Sequence, residues 1–362
     1  MRRLGVLCPA LLLACAPAAS DPAPRSPQAA SPATPAVSRP AEEPARPSRS
    51  ETPVVPDEQP PAAPARTEPA PPQFPPDDLS PPHARSAAPG DGAWKPLPSA
   101  GSSAAVMAVT TLHPHEVSRF LSVTIAAIDL SRAELHFMPG TGDPNVGQLS
   151  SIDVGRVPDT AQPRLLAVFN GGFQANHGRW GMMLGGKVLV PPREPGCTLA
   201  IHDDGRVELR SWPALAGATL AAYRQTPPCL LENGKLHAQL EAGNEKPWGG
   251  FNAKLKTRRR SAAGISADGR VLFYALGEEV GPKLLAEALR HAGATSAAEL
   301  DINWNWTRFL TYESSDDGEL RSVPLVEGMV HTKSGYLRRP SDRDFFFVTA
   351  KGPGDDAARR PQ

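Results

Sequence analysis

The sequence predicts an α+β domain that is rich in antiparallel strands, has few helices and follows a disordered tether of proline and alanine. The tether is indicated by the prolines, since more than half of the 42 in this 362-residue chain lie between Pro17 and Pro98. The strands are indicated by Asn-Gly and Asp-Gly pairs between apolar or alternating runs, which are typical of tight hairpin turns. Only one segment has a clear helical period.

Residues 16–103 form the predicted tether. They are mostly Pro, Ala, Ser, Arg and Glu, with almost no large apolar side chains. Such a segment buries too little apolar surface to offset its conformational entropy, so we expect disorder with a polyproline II bias. As a coil it would span roughly 50 Å, enough to lift a domain clear of a lipid surface. A low-complexity stretch without a spacer role is the alternative.

Residues 1–15 have the features of an export signal. Two arginines follow Met1, and the apolar stretch over residues 4–14 is too short to span a bilayer. Leu12-Leu13-Ala14-Cys15 resembles the lipobox of bacterial lipoproteins, whereas Ala16-Pro17-Ala18 offers an ordinary cleavage site. The tether directly after Cys15 favours lipidation. We therefore expect a lipoprotein anchored to the bacterial cell envelope, on its periplasmic or cell-surface face, and otherwise a secreted protein.

The folded domain is expected over residues 104–351, with residues 352–362 as a disordered tail. Lys and Arg together number 38, as do Asp and Glu. This balance gives no indication of a nucleic-acid partner, and leaves the lipid anchor as the only predicted membrane contact. Cys197 and Cys229 are a disulfide candidate in an oxidising compartment, and two separate thiols are the alternative. Neither a Cys-x-x-Cys motif nor a matching His pair indicates a zinc site.

The turn pairs punctuate the domain and divide it into short strands. The pairs are Asp204-Gly205, Asn233-Gly234, Asp268-Gly269 and Asp317-Gly318. Strands are predicted over residues 122–128, 165–169, 207–212, 271–276, 297–301 and 345–348. The predicted helix covers residues 282–291, with Leu284, Leu285, Ala288 and Leu289 on one face and Gly293 as its stop.

The familiar hydrolase signatures are absent. The segment Gly264-Ile265-Ser266-Ala267-Asp268 does not fit the G-x-S-x-G nucleophile elbow. The sequence also lacks an H-E-x-x-H motif and a glycine-rich phosphate loop opening a helix. These absences argue against a serine hydrolase or a zinc protease.

Four segments occur in an order that resembles the phosphodiester glycosidase family, which includes the enzyme that uncovers mannose 6-phosphate. They are Asn170-Gly171-Gly172-Phe173 after an apolar strand, Thr226-Pro227-Pro228 followed by Asn233-Gly234, Arg260-Ser261-Ala262-Ala263-Gly264 followed by Asp268-Gly269, and the helix leading into Glu299-Leu300-Asp301. The resemblance implies hydrolysis of a sugar 1-phosphodiester. It also implies a catalytic set of Asp301, Arg260 and Asn170, with Asp301 as nucleophile or general acid/base and Arg260 as a fork for phosphate oxygens.

The chain departs from the family pattern directly after Asp301, where the family carries glycines. Asp301-Ile302-Asn303-Trp304-Asn305-Trp306 alternates polar and apolar residues, which predicts an extended strand. Asp301, Asn303 and Asn305 would then share one face, suited to sugar hydroxyls or to a divalent cation such as calcium or magnesium. The identity of any metal stays open. Trp304 and Trp306 would stack on a sugar or pack in the core.

Further substrate contacts are expected from Gly171, Gly172 and His177, with a tight turn and a surface loop as their ordinary structural alternatives. Glycosidic cleavage generally uses a second carboxylate, for which Glu299 is the nearest choice and Glu194 and Asp203 are more distant ones. The predicted function is an exported hydrolase acting on a carbohydrate phosphodiester in a cell-envelope glycan. The rival is a non-catalytic glycan- or envelope-binding lipoprotein that kept the fold and lost the glycine loop.

Overall fold

A computed structural model describes residues 73–98, 105–249, 258–316 and 318–352. All of these residues belong to the unit Pro69–Gln362. The predicted export signal with Cys15, the tether over residues 16–72 and the tail from residue 353 lie outside the described residues. Within the described part of the chain, none of the helices is long and apolar enough to cross a membrane.

The described residues form antiparallel strands, numbered here along the chain. The strands are β1 (Lys95–Pro96), β2 (Met107–Leu112), β3 (Val123–Asp129), β4 (Ala133–Met138), β5 (Leu165–Asn170), β6 (Met182–Leu184), β7 (Lys187–Val190), β8 (Cys197–His202), β9 (Val207–Ser211), β10 (Leu220–Thr226), β11 (Leu231–Glu232), β12 (Lys235–Leu236), β13 (Arg258–Ser266), β14 (Val271–Val280), β15 (Ala294–Ile302), β16 (Phe309–Ser314), β17 (Leu320–Pro324) and β18 (Phe345–Ala350). The predicted antiparallel, β-rich fold is confirmed.

These strands build three sheets. The large sheet has the order β1-β2-β3-β14-β13-β15-β11-β12, and the two five-stranded sheets have the orders β7-β6-β10-β8-β9 and β17-β16-β5-β18-β4. The turn pairs lie where the sequence indicated. Gly205, Gly234 and Gly269 all adopt positive φ, between 72° and 82°, which costs glycine little.

Helices are few in the described residues. They are α1 (Ala238–Glu241), α2 (Pro282–His291) and 3-10 turns at Val146–Leu149, Gln162–Arg164 and Lys246–Trp248. Helix α2 has the predicted bounds, and its Leu285, Ala288 and Leu289 are buried against the large sheet. Gly293 ends it at a φ of 102°, as expected of a helix C-terminus.

An aromatic cluster in the core fixes the end of β5. The Phe169 ring lies 5.4 Å from that of Tyr274, 6.1 Å from Phe309 and 5.3 Å from Phe346. These rings come from both the large sheet and the sheet of β5, so burying them joins the two sheets. Asn170 follows Phe169 directly and is therefore held in a defined position.

Cys197 and Cys229 are joined by a disulfide. It links the first residue of β8 to the segment before β11, across a sequence separation of 32 residues. Closing a loop of this length in the unfolded chain is worth about 3.7 kcal/mol in the chain-entropy account.

The folded unit extends upstream of the boundary that composition placed at residue 104. Strand β1 pairs with β2, and the Trp94 N–H donates to the Asp78 carboxylate at 2.8 Å. Trp94 is 8% exposed, and Phe74 and Leu79 pack against the same apolar cluster. The high proline content of this segment led the composition to indicate disorder. Phe74, Leu79 and Trp94 nevertheless pack against the apolar cluster and hold residues 73–98 on the large sheet.

Replacing Trp94 tests this boundary. Trp94→Ala should lower the free energy of unfolding by about 3 kcal/mol, because it removes a large buried side chain. Phe120→Ala is the matched control, since Phe120 is 92% exposed, and should stay within about 0.5 kcal/mol of the parent. Urea unfolding of the full chain measures both. Equal, small effects would place residues 73–98 outside the cooperative unit.

Candidate active site

The end of β15 meets the end of β5, which brings Asp301 close to the Asn-Gly-Gly segment. The Asp301 N–H donates to the Gly171 carbonyl at 3.0 Å. The Ser261 hydroxyl donates to the Asp301 carbonyl at 2.8 Å. The site therefore lies where the large sheet joins the sheet of β5.

The Asn170 side chain is part of this junction and is hydrogen-bonded to other protein groups. Its side-chain N–H donates to the Ser261 hydroxyl at 2.9 Å, and its oxygen accepts from the Tyr274 hydroxyl at 3.0 Å and the Arg308 N–H at 2.9 Å. The residue is buried. The amide is thus saturated by protein groups, and the predicted catalytic role of Asn170 is not supported by its geometry.

Gly171 and Gly172 are needed for space rather than for a left-handed turn, since neither has a positive φ. A Cβ on Gly171 would lie 2.0 Å from the Asp344 carboxylate, and one on Gly172 would lie 3.0 Å from the Arg224 guanidinium carbon. The Gly172 N–H donates to the Asp344 carboxylate at 3.0 Å. Both predicted substrate-binding glycines are therefore spacers that admit a buried ion pair.

That ion pair, Arg224–Asp344, holds the wall of the site. Arg224 Nε lies 2.8 Å from the carboxylate, and both side chains are 1% exposed. The guanidinium also donates to the carbonyls of Phe173, Trp180 and Gln225. One buried cation thus fixes both ends of the segment 173–180, and the carboxylate that compensates it also anchors Gly172.

The Asp301 carboxyl is buried and ion-paired. Its Oδ1 accepts from the Ile302 N–H at 2.8 Å, and its Oδ2 accepts from Arg343 Nη1 at 2.7 Å. Burial raises the pKa of Asp301 to about 7, and the charge of Asp344 adds to this rise. Arg343, the Ile302 N–H and Arg224 act in the opposite direction. Near neutral pH the group therefore exists in both protonation states.

Asp301 opens into a cleft of 680 Å³ with mostly apolar and aromatic walls. The described residues that line it are Phe173, His177, Gly178, Trp180, Pro227, Pro247, Gly249, Arg258, Asp301, Ile302, Asn303, Trp306 and Arg343. Rings facing a few charged groups are typical of a small-ligand site. Arg343 lies over the Trp306 ring, with the guanidinium carbon 3.9 Å from the ring centroid, a cation–π contact.

His177 and Asn303 reach this cleft, whereas Asn305 is not among the described residues that line it. The predicted alternating strand is wrong beyond Ile302, where β15 ends. Asn303 takes a φ of 84°, and its carbonyl accepts from the Trp306 and Thr307 N–H groups. Asparagine tolerates this left-handed conformation, so the chain turns here without glycine and the polar face is not formed.

The two tryptophans of this segment separate at the turn. Trp306 lines the cleft, while Trp304 is 45% exposed and lies 4.0 Å from the Arg259 guanidinium carbon. The predicted calcium or magnesium face loses its basis, because it required Asp301, Asn303 and Asn305 in one strand. Among the described residues, no group of three or more His, Cys, Asp or Glu side chains is arranged to hold a metal ion.

Arg260 does not reach the cleft, contrary to its predicted phosphate role. It is fully buried, with Nη1 2.6 Å from Glu299 and 2.7 Å from the Trp248 carbonyl. Burial raises the pKa of Glu299 to about 7 despite this arginine. Glu299 is thus a structural partner rather than a second cleft carboxylate. Glu194 and Asp203 are exposed and lie outside the described lining.

Sequence reasoning missed Arg343, Asp344, Arg224 and Arg258. Arg343 and Asp344 directly precede the predicted strand over residues 345–348, so a charged pair at a strand end was the available signal. Arg224 lies two residues before Thr226-Pro227-Pro228. Its burial next to Asp344, which is 120 residues away, has no local signature.

Residues 164–301 match the family model described as phosphodiester glycosidase. These residues form a domain that is similar to phosphodiester glycosidases, and the match covers 138 of the chain's 362 residues. The match ends at Asp301. At the level of the family, such a domain indicates hydrolysis of phosphodiester-linked glycans.

Comparison with solved structures gives weaker likenesses. The catalytic domain of zebrafish N-acetylglucosamine-1-phosphodiester alpha-N-acetylglucosaminidase is 16% identical with a TM-score of 0.45, over 70% of this chain and 86% of that one. A hypothetical protein from Synechocystis is 12% identical with a TM-score of 0.32, over 64% of this chain and 59% of that one. A search of curated proteins gives no match.

Gly171→Ala tests the spacer role of the glycines. The added Cβ must displace the Asp344 carboxylate, so the free energy of unfolding should fall by about 2 kcal/mol. Gly147→Ala is the matched control, because a Cβ there has nothing within 4 Å and its φ is not positive. Urea unfolding of both variants gives the comparison. Equal stability of the two would show that Asp344 does not confine Gly171.

Proposed function

We propose that the domain hydrolyses a sugar 1-phosphodiester at the anomeric carbon, with Asp301 as the reacting carboxylate. The observation that carries this proposal is the Asp301–Arg343 pair in an aromatic cleft, at the end of a phosphodiester glycosidase domain. Such a cleft combines a group that titrates near neutral pH with a cation able to face a phosphate.

Asp301 acts as a general base in this proposal. A water oxygen bonds to the anomeric carbon, its proton passes to Asp301, and the bond from that carbon to the phosphate oxygen breaks. The leaving group is a phosphate ester, a weak base that departs without being protonated. The reaction therefore does not need the second carboxylate of most glycosidases. Consistently, Asp301 is the one carboxylate among the described residues that line the cleft.

Arg343 would have two effects on this reaction. It lowers the pKa of Asp301, which favours the ionised base. It also lies where negative charge develops on the leaving phosphate, and a fixed cation in a site with little water stabilises that charge. Trp306 holds the guanidinium from one side and, with Trp180 and Phe173, offers apolar ring faces to a sugar.

We also propose where the domain is located and which class of substrate it meets there. A lipobox at Cys15 and a long tether would place the domain on a cell envelope, and a phosphodiester-linked envelope glycan would then be the substrate within reach. The Cys197–Cys229 disulfide supports an oxidising location.

A glycan-binding module without chemistry is the second candidate. It is favoured by the loss of the family's glycines, since Ile302 and Trp306 now occupy part of the cleft wall. In that case the cleft would bind a sugar phosphate without turnover.

The test is hydrolysis of an aryl N-acetylglucosamine 1-phosphodiester by the full chain. Asp301→Asn should lower kcat by about 10²- to 10⁴-fold, because it removes the base and keeps the shape. Asp203→Asn, at an exposed position outside the described lining, is the control and should retain the parental rate. Hydrolysis that survives in Asp301→Asn would refute the role of Asp301. Binding of the substrate without hydrolysis by the parent would favour the binding module.

A further inference from the structure

The cleft carries more positive charge than Asp301 compensates. Its described lining contains two arginines, Arg258 and Arg343, and one carboxylate. The remaining walls are largely apolar and aromatic. Cations in such surroundings are costly unless an anion or other acceptors meet them.

Arg343 uses only part of its hydrogen-bonding capacity. Nη1 donates to Asp301, while Nε is buried and has no hydrogen-bond partner. The side chain is 15% exposed, and its guanidinium carbon lies 3.9 Å from the centroid of the Trp306 ring. The guanidinium is thus held between Asp301 and Trp306, and Nη1 is its nitrogen that donates a described hydrogen bond.

Arg258 is the second arginine of the described cleft lining that has a buried Nε without a hydrogen-bond partner. It begins a run of three, of which Arg259 pairs with Glu278 and Arg260 with Glu299. Arg258 makes no ion pair with a described residue, its Nε is buried without a hydrogen-bond partner, and it lines the cleft. The run therefore separates into two structural cations and one that faces the site.

We propose that Arg258 and Arg343 form a clamp for the phosphoryl group of the ligand. The two planar guanidinium groups offer paired N–H donors that match the oxygens of a phosphate group. A neutral sugar has no phosphate oxygens to accept these bonds. This inference deepens the proposed function and rests on it, because it assigns the phosphate half of a sugar phosphodiester. It transfers to these two residues the role that the sequence suggested for Arg260.

The clamp also orients the ligand. Arg343 contacts both Asp301 and Trp306, so a phosphate held by Arg343 lies next to the carboxylate. A sugar attached to that phosphate then meets the rings of the cleft. The ligand class is a sugar 1-phosphate, either as a monoester or as a diester.

The test measures binding without turnover. Full-length protein carrying Asp301→Asn is titrated calorimetrically with N-acetylglucosamine 1-phosphate and, separately, with the neutral methyl glycoside of N-acetylglucosamine. We expect the phosphate ligand to bind more tightly. Adding Arg258→Gln should weaken phosphate binding by about tenfold or more and leave the methyl glycoside unchanged, because a charge-assisted contact is lost.

Arg290→Gln on the exposed face of α2 is the matched control and should change neither ligand. Arg258→Lys keeps the charge and loses the fork, so it should recover part of the affinity, and it replaces Arg258→Gln if that variant does not fold. Arg258 variants that bind the phosphate ligand as tightly as the control would overturn the clamp. So would equal affinity for the charged and the neutral ligand.

This result is separable from the hydrolysis test. If the protein binds the sugar phosphate through Arg258 but does not hydrolyse the diester, the clamp is supported and the proposed reaction is refuted. If the protein hydrolyses the diester equally well with and without Arg258, the proposed reaction is supported and the clamp is refuted.

Discussion

The ion pair between Asp301 and Arg343, 2.7 Å long, spans the two sheets that form the cleft. Asp301 lies in β15 of the large sheet, and Arg343 directly precedes Asp344 and β18 of the sheet of β5. Because the pair is largely buried, losing either partner would leave an uncompensated charge. The position of the sheets and the charge state of the carboxyl are therefore linked. The raised pKa of Asp301 is a consequence of this burial.

The adjacent residues Arg343 and Asp344 serve different ends of the same site. Arg343 faces Asp301 and Trp306, while Asp344 meets Arg224 and the Gly172 N–H. The glycines leave room for the Asp344 carboxylate, and the carboxylate in turn compensates the cation that holds Phe173 and Trp180. The Asn-Gly-Gly segment thus positions the groups that form the cleft wall. Its three residues are not among the described residues that line the cleft.

Local patterns predicted the elements well and their interactions poorly. The helix over residues 282–291 was found because its apolar period is local, and the strands because hairpin turns bound them. The predicted domain boundary at residue 104 was too late in the chain. Phe74, Leu79 and Trp94 are too few to change the overall composition of the proline-rich segment, so composition did not reveal that they pack on the domain. Arg260 looked identical to Arg258 in sequence. In the structure, Arg260 is distinguished by its contact with the buried Glu299, which lies 39 residues further along the chain. This contact makes Arg260 a structural residue, whereas Arg258 faces the cleft. The turn at Asn303 was missed because alternation cannot reveal a positive φ at asparagine.

The pH dependence of hydrolysis by the parent and by Arg343→Gln tests most directly whether Asp301 acts as an ionised base. The account predicts that kcat/KM rises with pH through about 7 in the parent, because the ionised fraction of Asp301 increases across the pKa that burial has raised. Removing Arg343 should move this limb to higher pH, since the cation lowers the pKa. A rate that falls as pH rises through 7, or a limb that Arg343→Gln leaves in place, would contradict it.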